Sequence, residues 1–151
     1  MNRAWVRALL VAAAVVVLDQ FVKELVRSAL EPGEVREVTS FLDLVHVRND
    51  GIAFGQFAGG GALVIVIVLV ALSALIYYFA THVNQPWVWL PTGLLLGGAI
   101  GNLIDRARLG AVTDFVKFPH WPAFNVADSA VTVGVIVLLI VIERAPHRDE
   151  R

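Results

Sequence analysis

The chain has no cysteine, so disulfide staples, thiolate nucleophiles and cysteine-ligated metals are excluded. Its four histidines, His46, His82, His120 and His147, fall without ligand spacing. No His-Glu-x-x-His stretch occurs, which removes the zinc-peptidase pattern. Solvated or interfacial roles are expected of these histidines, and neither metal nor cofactor is expected. Serines and lysines are few. Ser28, Ser40, Ser73 and Ser129 with Lys23 and Lys117 are the whole supply, and a Ser–Lys peptidase would need Ser129 to reach Lys117 in a loop. Charge is scarce too: Asp, Glu, Lys and Arg make up 17%, against about 25% in an average soluble domain. A net charge of −1 offers no basic face for nucleic acid.

What abounds is apolar. The set AVILMFWYC reaches 58% and the mean hydropathy is +0.73. A soluble particle of this composition would expose large apolar patches and aggregate, so soluble enzyme, disordered tail and coiled coil all fit poorly. The length of 151 residues suits one domain, 1–151, since domains usually run to about 100–200 residues.

From Gly51 to Ile104 there is no Asp, Glu, Lys or Arg, a run of 54 residues. A helix crossing a ~30 Å hydrocarbon core needs about 20 residues, so this run suits two crossings. The polar break Thr81–Pro86 divides it into spans over 61–80 and 87–104. Another span covers 125–142, and a first lies within 5–28. Met1–Arg7 followed by the apolar Ala8–Leu18 resembles the start of a secretory signal peptide. Its small residues Ala12–Ala14 lie inside the apolar run, however, and a retained helix is expected. The expected fold class is an all-α integral membrane protein of four transmembrane helices.

Four crossings place both termini on one side and the connections 31–60 and 105–124 on the other. Arg3, Arg7, Arg144, Arg148 and Arg151 on the terminal side are matched by Arg36, Arg48, Arg106, Arg108 and Lys117 in the long connections. The first helix usually dominates orientation, and the 31–60 stretch is acidic. Cytoplasmic termini and extracytoplasmic connections are therefore expected. Within the first connection, Val35–Val47 suits short strands and Asn49-Asp50-Gly51 signals a tight turn. Phe54 and Phe57 would seat the following segment at the lipid interface.

Ionisable groups in or beside a membrane helix are functional candidates by default. Asp19, Asp105, Arg106, Asp114 and Asp128 all fall toward one face under this topology. Asp19 and Lys23 stand at i,i+4, the spacing of a helical ion pair, which reads first as structural. Gly98, Asn102 and Asp105 share a helical face, a pattern suited to close helix packing with support of a site as a second role. Arg106 suits neutralising a carboxylate or gripping a phosphate or carbonyl.

Asp114 sits in the apolar, extended-looking stretch Ala111–Val116, and Asp128 about one turn into the last span. Taken singly, each admits a structural and a functional reading equally. Taken as a pair, they suit hydrolysis. Two carboxylates held close in a low-dielectric site share a proton; the ionised one activates a water and the protonated one polarises the scissile carbonyl. Two other readings compete. One is a small transporter or channel subunit relaying protons or cations through Asp19, Asp105 and Asp128, although a relay would spread such groups through the membrane depth. The other is a scaffold whose Gly-rich span packs a partner.

Five stretches carry a resemblance: Asp19-Gln20 with Lys23; Asn49-Asp50-Gly51-Ile52-Ala53-Phe54-Gly55; Gly97-Gly98-Ala99-Ile100-Gly101-Asn102-Leu103-Ile104-Asp105-Arg106; Val112-Thr113-Asp114-Phe115; and Phe124-Asn125-Val126-Ala127-Asp128-Ser129. In this order they resemble the lipoprotein signal peptidases, or signal peptidase II, of bacterial cytoplasmic (inner) membranes. The resemblance implies an aspartic endopeptidase with Asp114 and Asp128 as catalytic dyad. It implies support or substrate contact from Asp19, Lys23, Asn49, Gly51, Phe54, Asn102, Asp105, Arg106, Asn125 and Ser129. The implied substrate is a diacylglyceryl-modified prolipoprotein, cut on the amino side of its lipidated Cys, with membrane lipid around it. A small extracytoplasmic β-structured region with a mobile interfacial helix over the site is implied as well, as is inhibition by the cyclic peptide globomycin. A monomer can hold the whole site.

Overall fold

A computed structural model describes residues 2–51 and 60–144. Helix α1 (Arg3–Ala29) begins on Asn2, whose side-chain oxygen accepts the Ala4 N–H at 3.0 Å. Two strands follow, β1 (Val35–Thr39) and β2 (Leu42–Asn49), then helices α2 (Gly60–Thr81) and α3 (Trp89–Leu109). Strand β3 (Val112–Lys117) and helix α4 (Val126–Glu143) complete the chain. Helices α1 and α4 are each long and apolar enough to cross a bilayer. The expected interfacial helix, with Phe54 and Phe57, falls at 52–59, outside the described residues.

Glycines make α3 the central helix. A Cβ added to Gly93 would lie 2.6 Å from the Ala8 carbonyl oxygen, and one at Gly97 2.7 Å from Val15 Cβ. Gly98 faces the other way, where a Cβ would meet the Ala127 carbonyl oxygen at 2.5 Å. Small residues one turn apart thus let α1 settle on one side of α3, and Gly98 admits α4 on the other. Helix α2 is clasped at its C-terminal end, where buried Phe79 packs with Ala8, Val88 and Val141 and meets the Trp5 ring edge-on at 4.5 Å.

The strands form one antiparallel sheet in the order β1-β2-β3. Strands were expected in the first connection; the second connection adds β3 as their partner, pairing Val47 with Asp114 and Arg48 with Thr113. The third helix also runs further than the span expected at 87–104. It opens at Trp89 and continues to Leu109, so Asp105 and Arg106 lie inside it. Gly110, at φ +74°, ends it with its N–H donating to the Arg106 carbonyl, as a left-handed cap does. His46 is corrected as well. It is buried, with Nδ1 donating to the Leu30 carbonyl at 2.8 Å, because β2 turns it toward the end of α1.

Candidate active site

Strand β3 delivers Asp114 into the space between α3 and α4, where only 2% of the residue is exposed. Alternation along the β2–β3 ladder puts Asn49 on the same face, and its Nδ2 donates to Asp114 Oδ2 at 2.9 Å. Asn125 Nδ2 donates to the other oxygen at 2.7 Å. Asp128 is the third residue of α4. Its Oδ2 accepts the Asn125 N–H at 3.1 Å while Asn125 Oδ1 accepts the Asp128 N–H at 2.9 Å, a reciprocal cap of the helix start. Asn102, from α3, donates from Nδ2 to Asp128 Oδ1 at 2.8 Å.

All four carboxylate oxygens of Asp114 and Asp128 therefore receive an amide hydrogen, and Asn125 touches both residues. Neither carboxylate forms an ion pair among the described residues. Burial is the chief influence on the Asp114 carboxyl and pushes it up, with the nearby Asp128 charge pushing the same way. The hydrogen bonds from Asn49 and Asn125 and the Lys23 ammonium pull it back, and the balance lies at about 6 against an ordinary 3.8. Strongly shifted acids of this kind mark working sites more often than structural ones.

Behind the pair lies a sealed ionic cluster. Lys23 and Asp19 are wholly buried and 2.7 Å apart, with Asp105 Oδ2 at 3.3 Å from the same ammonium. Asp19 also accepts the Ala127 N–H at 2.9 Å, which ties α1 to the start of α4. Asp105 accepts the Thr113 N–H at 2.9 Å, which ties α3 to β3. Gln20 Nε2 reaches Asp105 at 3.1 Å and Asp19 at 3.2 Å, and Arg27 donates to Thr113 Oγ1 at 3.1 Å. Sequence reasoning missed the roles of Gln20, Arg27 and Thr113. The four-residue steps Asp19, Lys23, Arg27 along α1 were a signal for the second of these.

The remaining candidates fall into place around this framework. Gly51, at φ +82°, donates its N–H to Asn49 Oδ1 at 3.0 Å and so holds the side chain that faces Asp114. Ser129 is exposed and its hydroxyl donates to the Asn125 carbonyl at 3.1 Å, away from both carboxylates. Arg106 Nη1 donates to the Asn102 carbonyl at 3.4 Å, and its buried Nε has no partner among the described residues. Phe54 lies outside them. No cluster of three or more His, Asp or Glu is placed to hold a metal ion among the described residues.

A cavity of about 700 Å³ opens between α2 on one side and α3 with α4 on the other. Asn102, Arg106 and Asp128 stand at one end, and apolar side chains such as Leu75, Leu95, Val131 and Ile142 line the rest. It runs along the helices from the paired aspartates toward their far ends. Fold and site together define a membrane protein of the hydrolase type, with two neighbouring carboxylates at the head of an apolar trough.

The comparisons narrow that class. Residues 11–143 match the family model described as signal peptidase (SPase) II. The lipoprotein signal peptidase of Halothermothrix orenii is 44% identical over 133 residues, covering 87% of this chain and 91% of that protein. That of Moorella thermoacetica is 43% identical over 132 residues, covering 86% and 88%. A bacterial membrane enzyme solved in meso at 1.9 Å superposes with a TM-score of 0.84 at 33% identity, over 91% of this chain and 93% of that one. The chain belongs to the signal peptidase II family.

Proposed function

We propose that this protein is an aspartic endopeptidase that removes the signal peptide of diacylglyceryl-modified prolipoproteins, cutting on the amino side of the lipidated Cys. The observation that carries this reading is the pairing of Asp114 and Asp128 through Asn125 at the head of the apolar trough. The substrate is itself an apolar helix with acyl chains beside its cut site, and the apolar lining of the trough suits such a molecule. Relatives named lipoprotein signal peptidase support it.

In this mechanism Asp114 holds the shared proton, since its surroundings favour the neutral form. Asp128 is the base, at the start of α4, where aligned N–H groups favour negative charge. Asp128 takes a proton from water, and the resulting hydroxide attacks the scissile carbonyl carbon while Asp114 protonates the carbonyl oxygen. The C–N bond then breaks. Asp128 returns its proton to the departing Cys amine, and Asp114 regains one as the new carboxyl forms. One water is consumed, and both carboxyls end as they began. Arg106, with Nε unpartnered at the trough, grips a substrate carbonyl.

Four crossings, by α1 to α4, with cytoplasmic termini would place the sheet and dyad at the extracytoplasmic face of the bacterial inner membrane. A monomer suffices, and a globomycin-type cyclic peptide would occupy the trough head. Purified protein incubated with a diacylglyceryl-modified prolipoprotein tests the activity: cleavage by wild type and none by Asp114→Asn or Asp128→Asn is expected, and equal cleavage by all three overturns the dyad. Thiol labelling of a cysteine introduced at position 40, with intact cells, tests the orientation; modification only after permeabilisation inverts it.

A further inference from the structure

Resting on that dyad, we infer that Lys23 is a positioning residue for the reaction, helping to fix through the Asn102 side chain the hydrogen that Asp128 receives. A carboxamide has a donor end and an acceptor end that can exchange by a half-turn, so its direction must be set by its partners. Lysine ammonium can only donate. Lys23 Nζ lies 2.9 Å from Asn102 Oδ1, so the oxygen of Asn102 must face α1. Its NH₂ is then forced toward Asp128 Oδ1, at 2.8 Å.

The same oxygen accepts from Asn125 Nδ2 at 3.2 Å, and Asn125 Nδ2 in turn donates to Asp114 Oδ1 at 2.7 Å. A flipped Asn102 would set its NH₂ against the ammonium and against the Asn125 NH₂, and its oxygen against the Asp128 carboxylate. Three repulsions stand against the flip. One buried cation thus acts on the direction of Asn102, while Asn125 is fixed by the Asp128 N–H on its oxygen and by Asp114 on its NH₂; the cation itself pairs with Asp19 and Asp105 and contacts neither dyad carboxylate directly. Lys23 is consequently more than a clamp between α1 and α3. Without it, one of the three repulsions is gone and Asn102 is held less firmly with its NH₂ toward Asp128, which weakens a donor that favours the charged form of the base.

The test is a double-mutant cycle on a fluorogenic diacylglyceryl lipopeptide, with Lys23→Met, Asn102→Leu and both together, kcat and KM being followed against pH. Lys23→Met should lower kcat on the order of 100-fold, as loss of one positioned donor does, with KM nearly unchanged. In the Asn102→Leu background the same change should add less than about threefold. Both single variants should move the acid limb of kcat to higher pH; the other ionisable groups around Asp128, Asp114 on β3 and Arg106 on α3, are intact in each. If the two losses multiply, or if Lys23→Met keeps kcat and its pH limb, the inference is overturned.

Lys23→Met leaves the buried Asp19 without an ion-pair partner and Asp105 with Arg27 alone, at 3.7 Å, so the cycle is repeated with Asp105→Asn as a charge-balancing background, folding being checked by thermal melting. Wild-type protein gives a reading that needs no variant to fold. The Asn102 Nδ2 resonance and its protons should shift in ¹⁵N NMR as the dyad titrates, whereas a pH-insensitive signal contradicts an NH₂ held against Asp128. Asp128→Asn runs in parallel. Turnover by that variant defeats the dyad itself, while an inactive Asp128→Asn with multiplying losses defeats only the role of Lys23.

Discussion

Two groups of aspartates lie side by side in this protein and are treated in opposite ways. Asp19 and Asp105 share a buried lysine ammonium and accept backbone N–H groups from α4 and β3. Asp114 and Asp128 meet only neutral side-chain amides and one backbone N–H, and Asp128 opens onto the trough. The first pair is neutralised and locked, so its carboxylates join elements together. The second pair is held in place without an ion-pair partner among the described residues, and burial, with the Asp128 charge beside it, raises the Asp114 carboxyl to about 6, within reach of a proton exchange near neutrality. A cation in contact ties a carboxylate to its neighbours; amides alone leave it able to exchange a proton.

The comparison breaks most sharply on substitution of the pair proposed as the dyad. Asp128→Asn and Asp114→Asn should each reduce turnover by about 10³-fold or more, since the two act as a unit, while detergent-solubilised protein keeps its melting temperature within a few degrees. Loss of folded protein in both would move them into the structural group. The locked pair should behave in reverse. Asp105→Ala leaves Lys23 short of a partner and the Thr113 N–H without an acceptor, so a loss of stability of about 3–5 kcal/mol is expected, as when a buried pair is broken, measured by thermal or denaturant unfolding.

Smaller effects sharpen the picture. Gly98→Val drives a side chain into the Ala127 carbonyl and should destabilise by about 1–3 kcal/mol through overpacking, with activity falling because α4 carries Asp128. A weaker signature lies in the pH dependence. Because the folded-state carboxyl of Asp114 is raised from 3.8 to about 6, the folded protein binds its proton more tightly than the unfolded chain. The corresponding stability is fully present below about pH 4 and is lost as pH rises through 6. Unfolding followed from pH 4 to 7 should show that decline in wild type, and Asp114→Asn should show it reduced. The smallest expected effect is that of a chelator, which should leave turnover unchanged; inhibition reversed by added metal would oppose the two-aspartate mechanism.

Much of this was legible from the residues. Apolar runs and their polar breaks mark four helices within a few residues of where they lie, since a helix in a membrane must satisfy its own backbone. The i,i+4 spacing of Asp19 and Lys23 showed the ion pair, and the crowding of aspartates at one end pointed to the candidate site. The extension of α3 to Leu109 was not legible, because Asp105 and Arg106 look like the end of a span when they are partners for α1 and for the trough. Neither was β3. Its pairing with β2 depends on contacts across some 65 positions of chain, which periodicity does not report. The cap at Asn125 did leave a trace, an Asn three residues before an Asp at the head of an apolar run. His46 shows the limit most plainly: one polar residue among strand residues carries no sign of the carbonyl awaiting it at the end of α1.

The trough that leads away from Asp128 is lined along α2, α3 and α4. A molecule reaching it from within the bilayer arrives by two-dimensional diffusion, so the concentration that matters is its mole fraction in lipid or detergent. Diluting the substrate with inert amphiphile, at constant bulk concentration, should slow the reaction as surely as removing substrate from the tube.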